Sequence, residues 1–104
     1  MLELRPNCEL CDRDLPPNAP DAMICTYECT YCVRCVETVL HDVCPKCGGN
    51  FVSRPIRPVK SWRPDRRLGL LHHPAGTERM HTPFSLEDIQ EFVARVRKVP
   101  PQER

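Results

Sequence analysis

Eight cysteines are the residues of this chain whose type and spacing can do chemistry. They are Cys8, Cys11, Cys25, Cys29, Cys32, Cys35, Cys44 and Cys47, in the pattern C-x2-C-x13-C-x3-C-x2-C-x2-C-x8-C-x2-C. A C-x2-C turn lets two sulfurs reach one ion while backbone N–H groups point at them, and thiolate is a soft ligand suited to a tetrahedral site. Eight thiols fill two such sites, and the metal most at home among four cysteines in a structural role is zinc. The competing use of these cysteines is a disulfide framework. The chain opens without a positively charged stretch, an apolar run and a cleavage site, so a reducing cytoplasm is the expected setting and the thiols are read as ligands.

Two pairings are open. A sequential one joins Cys8, Cys11, Cys25 and Cys29 on one zinc and Cys32, Cys35, Cys44 and Cys47 on the other. An interleaved one joins Cys8, Cys11, Cys32 and Cys35, leaving Cys25, Cys29, Cys44 and Cys47. The interleaved form is favoured because it gives a helix opening at Cys32 a distant knuckle, the treble-clef arrangement, and because it ties non-local segments together.

Stepping outward to the elements that must position these ligands, Met1 to Arg5 alternates apolar and polar and predicts a short strand stopped by Pro6. Asp12 to Asp21 is a proline-rich crossing loop. Ala22 to Cys29 carries β-branched and aromatic residues and predicts a strand leading into a turn. Val33, Val36, Val39 and Leu40 recur at helical spacing, which predicts a helix over Val33 to His41 and places Cys32 and Cys35 at its positive end. C-P-K-C-G-G is a knuckle whose glycines permit a left-handed return, with Phe51 and Val52 as a closing strand. Pro55, Pro58 and Pro64 among basic residues predict an extended arm. Residues 68–83 show no period. Ser85 is a helix N-cap with Phe84 placed to pack on Ile89, and a helix from Leu86 to about Lys98 would align Leu86, Ile89, Val93 and Val96, with Phe92 beside them.

The expected fold is thus a small metal-stabilised α+β module with short strands and one short helix over residues 1–54, a basic arm and irregular segment over 55–83, and an amphipathic C-terminal helix over 84–99. Twelve prolines and 6 % aromatic residues leave little apolar material for a core. Below about fifty residues metals usually have to supplement burial, so the metal-free first half is expected to be disordered or molten. The formal net charge is +1; two four-thiolate zinc sites would bring it to about −3. Residues 1–47 hold four Lys/Arg against eight Asp/Glu, whereas residues 48–70 hold six against the single Asp65. That basic stretch is expected to face something negative, its own acidic module being one candidate.

The spacing from Cys8 to Cys47 resembles that of RING-type cross-brace zinc modules, with Leu10 inside the first pair and Pro45 inside the last. In ligases of that class the corresponding positions help contact a ubiquitin-conjugating enzyme, so the resemblance implies a partner-binding groove at Leu10, Val36 and Pro45. Cys29 stands where a histidine is common, and Gly48 where such ligases often carry a basic residue. With its M-L-E-L-R-P-N-C opening and R-P-I-R-P after the last pair, the whole chain also resembles a family of short uncharacterised bacterial proteins with a domain of unknown function. That likeness implies zinc binding in the cytoplasm and no particular activity.

An enzyme needs an open metal position or an activated nucleophile, and eight thiolates engaged as ligands leave neither. No catalytic residue is therefore expected; His41 reads as a solvent-facing helix-end side chain, and a third metal site at His72, His73 and His81 is disfavoured because adjacent histidines usually point apart. The leading expectation is a protein-interaction module, with ubiquitin-ligase-like activity as the enzyme-class version of the same surface. The second is nucleic-acid binding through the stretch 54–67, by Arg54, Arg57, Lys60, Arg63, Arg66 and Arg67 with Trp62 as a stacking platform. Zinc storage or redox sensing is a third use of the thiolates. No membrane partner is expected, and the C-terminal helix is a candidate homodimer contact.

Overall fold

The computed structural model describes residues 1–104. Its centre is a three-stranded antiparallel sheet in which β1 (Ala22–Ile24) lies between β2 (Thr30–Cys32) and β3 (Val52–Ser53). Ala22 pairs with Cys32 and Ile24 with Thr30 across one edge of β1, and Ile24 pairs with Val52 across the other. The β1–β2 connection carries Cys25 and Cys29 and is closed by Cys25 N–H donating to the Cys29 carbonyl at 3.2 Å. Strands this short give little stability alone, and what holds them is the side chains that follow.

The helical segment begins as predicted. α1 (Val33–Cys35) runs directly into a π-helical turn (Val36–Leu40) ended by His41 and Asp42, both with positive φ. Neither is glycine, so both positions carry strain, and the Asp42 carboxylate holds the turn by accepting the Phe51 N–H at 2.9 Å. The wide turn buries Val36 and Leu40 beside Val43, and Tyr31 meets Phe51 edge to face at 5.5 Å. Six of the 16 residues in this core are cysteines: Cys8, Cys25, Cys29, Cys32, Cys35 and Cys44. A core so rich in thiol has correspondingly little hydrocarbon to hold it shut.

α2 (Leu86–Val96) is capped by Ser85, whose hydroxyl accepts the Asp88 N–H at 3.2 Å, so the predicted start is observed. Ile89 and Val93 are buried on the π-helical turn, whereas Leu86 is exposed, which narrows the predicted apolar face to Ile89, Phe92, Val93 and Val96. The helix therefore packs on its own module through Ile89 and Val93. Its end is Val96 rather than Lys98; the chain then turns through Pro101–Glu103, and Arg104 donates to the Gly48 carbonyl at 2.9 Å.

Two expectations fail at the backbone level. Residues 1–5 belong to no strand, because their neighbour is a distant segment without periodicity. Gly76 N–H donates to the Leu4 carbonyl and Thr82 N–H to the Glu9 carbonyl, so residues 76–82 form a strap beside the N-terminus. The arm is not extended either. It doubles back, with Leu70 N–H on the Pro58 carbonyl at 2.8 Å. Gly69 makes the return possible: its φ is +88°, and a Cβ there would stand 2.9 Å from the Pro58 oxygen. No helix is long and apolar enough to cross a membrane.

Candidate metal centres

The two knuckles are built alike. After Cys8 and Cys11, Asp12 takes a φ of 66° and its N–H donates to the Cys8 carbonyl at 3.0 Å. After Cys44 and Cys47, Gly48 takes a φ of 79° and its N–H donates to the Cys44 carbonyl at 2.8 Å. Each turn thereby presents two sulfurs on one side. Cys32 ends β2 and Cys35 sits in α1, so the strand-to-helix junction supplies a third pair, and the β1–β2 connection supplies Cys25 and Cys29.

The fold joins these pairs in interleaved fashion. The sulfurs of Cys8, Cys11, Cys32 and Cys35 all lie within 4.8 Å of one another, as do those of Cys25, Cys44 and Cys47. Cys29 completes the second group, its thiol meeting those of Cys25 and Cys44. The sequential alternative is excluded by this geometry. A tetrahedral ion with metal–sulfur bonds of about 2.3 Å requires sulfurs about 3.8 Å apart, and Cys11 and Cys32 are separated by 3.8 Å. A disulfide would need about 2.05 Å, and all eight cysteines are free.

The electrostatics point the same way. Without a cation, four thiols in one pocket cannot all ionise. Hydrogen bonds from the Cys29 and Cys44 thiols hold Cys25 down to about 2, while the same bonds push Cys44 up and Cys29 to about 11. In the first group burial, then the charge of Cys8, pushes Cys35 up. A dication reverses this order by stabilising every thiolate at once. Backbone donors assist: Tyr27 N–H points at the Cys25 sulfur and Gly49 N–H at the Cys47 sulfur, each at 3.3 Å.

Sequence reasoning missed the polar side chains that brace these sites. Glu9, inside the first pair, is buried; it accepts the Thr30 N–H and a guanidinium bond from Arg5 at 2.8 Å. Asn7 is fully buried and donates to the Asp12 carboxylate at 2.9 Å and to the Met80 carbonyl at 2.8 Å, which docks the strap on the first knuckle. Arg79 in the strap pairs with Asp12 and Asp14. Their only sequence signal is nearness to the cysteines.

The other predicted residues divide. Leu10 is half-buried against the core, Val36 is buried, and Pro45 is buried in a cleft shared with Phe84, Ile89 and Phe92. α2 thus borders Pro45 and packs on the turn that carries Val36, whereas Leu10 packs against the core. Arg54 is no nucleic-acid contact: it is buried, and its guanidinium donates to the Arg5, Leu15 and Pro16 carbonyls. Burial lowers its pKa, yet it remains charged at neutral pH. Arg57 is likewise engaged, on the His73 and Leu2 carbonyls. Lys60, Trp62, Arg63, Arg66 and Arg67 are exposed, and none of these cations forms an ion pair with the acidic module. His41, His72, His73 and His81 join no group with metal-ligand spacing.

Residues 1–57 match the model of a family described as a protein of unknown function, DUF1272. An uncharacterized protein of Rhizobium meliloti (strain 1021) is 54 % identical over 83 residues, which cover 80 % of this chain and 89 % of that protein. No solved structure matches.

Proposed function

Given that this chain belongs to the DUF1272 family, whose description assigns no activity, we propose that it is a zinc-stapled, non-enzymatic binding module of RING-like, treble-clef build. The observation that carries this reading is the interleaved gathering of the cysteines into two groups, four sulfurs of the first and three of the second mutually within 4.8 Å, with Cys29 beside Cys25 and Cys44. Four thiolates close the coordination of each ion, so no position is left for substrate or activated water. Zinc at both sites suits an all-sulfur donor set, and the sites then act as cross-links between segments distant in sequence.

What such a module presents to a partner is what its own chain leaves uncovered. A conjugating enzyme or another protein docking at Leu10, Val36 and Pro45 would meet buried Val36 and the α2 side chains that share the Pro45 cleft, so ligase-like activity is the weaker form of the proposal. The exposed cations and Trp62 of the arm are the remaining feature of binding character. Native mass spectrometry of the reduced protein tests the metal half of the reading. Two zinc ions per chain are expected; one, none, or a mass lowered by disulfide formation would refute it.

A further inference from the structure

Beyond its base, the stretch from residue 58 to residue 71 bonds only to its own vicinity. Leu70 and Leu71 N–H groups donate to the Pro58 and Val59 carbonyls, and the Ser61 hydroxyl donates to the Arg63 and Arg66 carbonyls. Arg57 clamps the base through the His73 and Leu2 carbonyls at 2.7 and 2.6 Å. The backbone is ordered, which costs conformational entropy, yet the loop recovers little of it by burial. Val59, Trp62, Leu68 and Leu71 are 64 %, 73 %, 47 % and 73 % exposed. Lys60, Arg63, Arg66 and Arg67 share the loop with Asp65 alone among acids, and no carboxylate lies within ion-pair distance of them.

Building on the reading of this chain as a binding module, we infer that the 58–71 loop docks on an anionic phospholipid surface. The cations face the headgroups, while Trp62 and the neighbouring aliphatic side chains enter the boundary with the acyl chains. Two features favour this occupant over single-stranded nucleic acid. Lys60 already lies over the Trp62 ring, 4.5 Å from its centroid, so one stacking face is taken. A nucleic acid would also leave Val59, Leu68 and Leu71 in water, whereas a bilayer interface takes in both the charged and the apolar sets.

Trp62 is the only tryptophan in the chain, so its emission reports on this loop alone. The full-length, zinc-loaded protein is mixed with vesicles of phosphatidylcholine and with vesicles of phosphatidylcholine and phosphatidylglycerol. Sedimentation with the anionic vesicles is expected, with a blue shift of Trp62 and release by high salt. Removing two cations with Arg63→Gln and Arg67→Gln should weaken partitioning by about thirtyfold. Leu68→Ser with Leu71→Ser should remove the blue shift while zinc content and circular dichroism stay as in the parent. Failure of the two-zinc protein to bind anionic vesicles overturns the inference, as does binding without any shift of Trp62. Tighter binding to oligothymidylate, insensitive to Leu68→Ser and Leu71→Ser, would overturn it in favour of nucleic acid. If the chain proves to carry fewer than two ions yet still shows the blue shift, the lipid site stands and the metal-centred function falls.

Discussion

Arg54 shows how far the role of one residue can lie from its composition. In the sequence it opens a basic run, and charge alone groups it with the cations that follow. In the fold its guanidinium ties Arg5 to Leu15 and Pro16, reinforcing two segments that are otherwise joined by the Asn7–Asp14 bridge and its flanking backbone bonds. Replacing it by methionine would leave those carbonyls without their donor, at a cost of about 2–4 kcal/mol. Urea denaturation of the zinc-loaded Arg54→Met protein checks this, and Arg67→Gln, a change at an exposed residue, should fall within about 0.5 kcal/mol of the parent. The cysteines, by contrast, were legible individually, because metal-ligand spacing is local and an apolar environment is not needed to recognise it. Their protonation supplies a second expectation at this scale. Each sulfur must lose its proton to bind, so acidification should release the metal, and absorption of the thiolate–metal bands of a cobalt-loaded sample should fall as pH falls.

At the scale of elements, legibility followed local signals. Ser85 fixed the start of α2 through its own hydroxyl, and the C-x2-C-P/G chemistry gave the second knuckle. The first knuckle uses Asp12 where the second uses Gly48, in the same left-handed geometry. Gly48→Ala is therefore expected to cost about 1–2 kcal/mol, the penalty of a Cβ in that region, although the space around the position is adequate. What stayed unreadable were elements whose hydrogen bonds run to remote, aperiodic segments. The N-terminal residues pair with the strap near Gly76 and Thr82, and no pattern within residues 1–5 announces that neighbour. Likewise the proline content of the arm suggested extension, whereas the backbone freedom of Gly69 and the Arg57 clamp fold it back. The packing of α2 carries its own test. Ile89→Ala or Val93→Ala should each lower stability by about 1–4 kcal/mol, measured on zinc-loaded protein. The same changes should increase the accessibility of the Val36 and Pro45 surface to hydrogen exchange in its neighbourhood.

For the molecule as a whole, the balance is between a thin core and two cross-links. Only 25 of 104 residues are buried, and six of the 16 core residues are thiols, so hydrophobic burial alone holds the sheet weakly. Structural zinc sites contribute on the order of 10 kcal/mol each, enough to decide whether the first half folds. Stripping the ions with a strong chelator under reducing conditions should abolish the near-ultraviolet circular dichroism of the aromatic core and restore it on adding zinc. The interleaved arrangement also couples the two centres, since the segment between the two ligand pairs of each site carries a ligand pair of the other.

Cadmium NMR on protein loaded with two equivalents of a spin-half cadmium isotope addresses that arrangement most directly, because each metal resonance correlates with the β-protons of its own cysteines. One resonance should connect to Cys8, Cys11, Cys32 and Cys35, and the other to Cys25, Cys29, Cys44 and Cys47. A resonance joining Cys8 and Cys11 to Cys25 and Cys29, or a single resonance in place of two, would contradict the account.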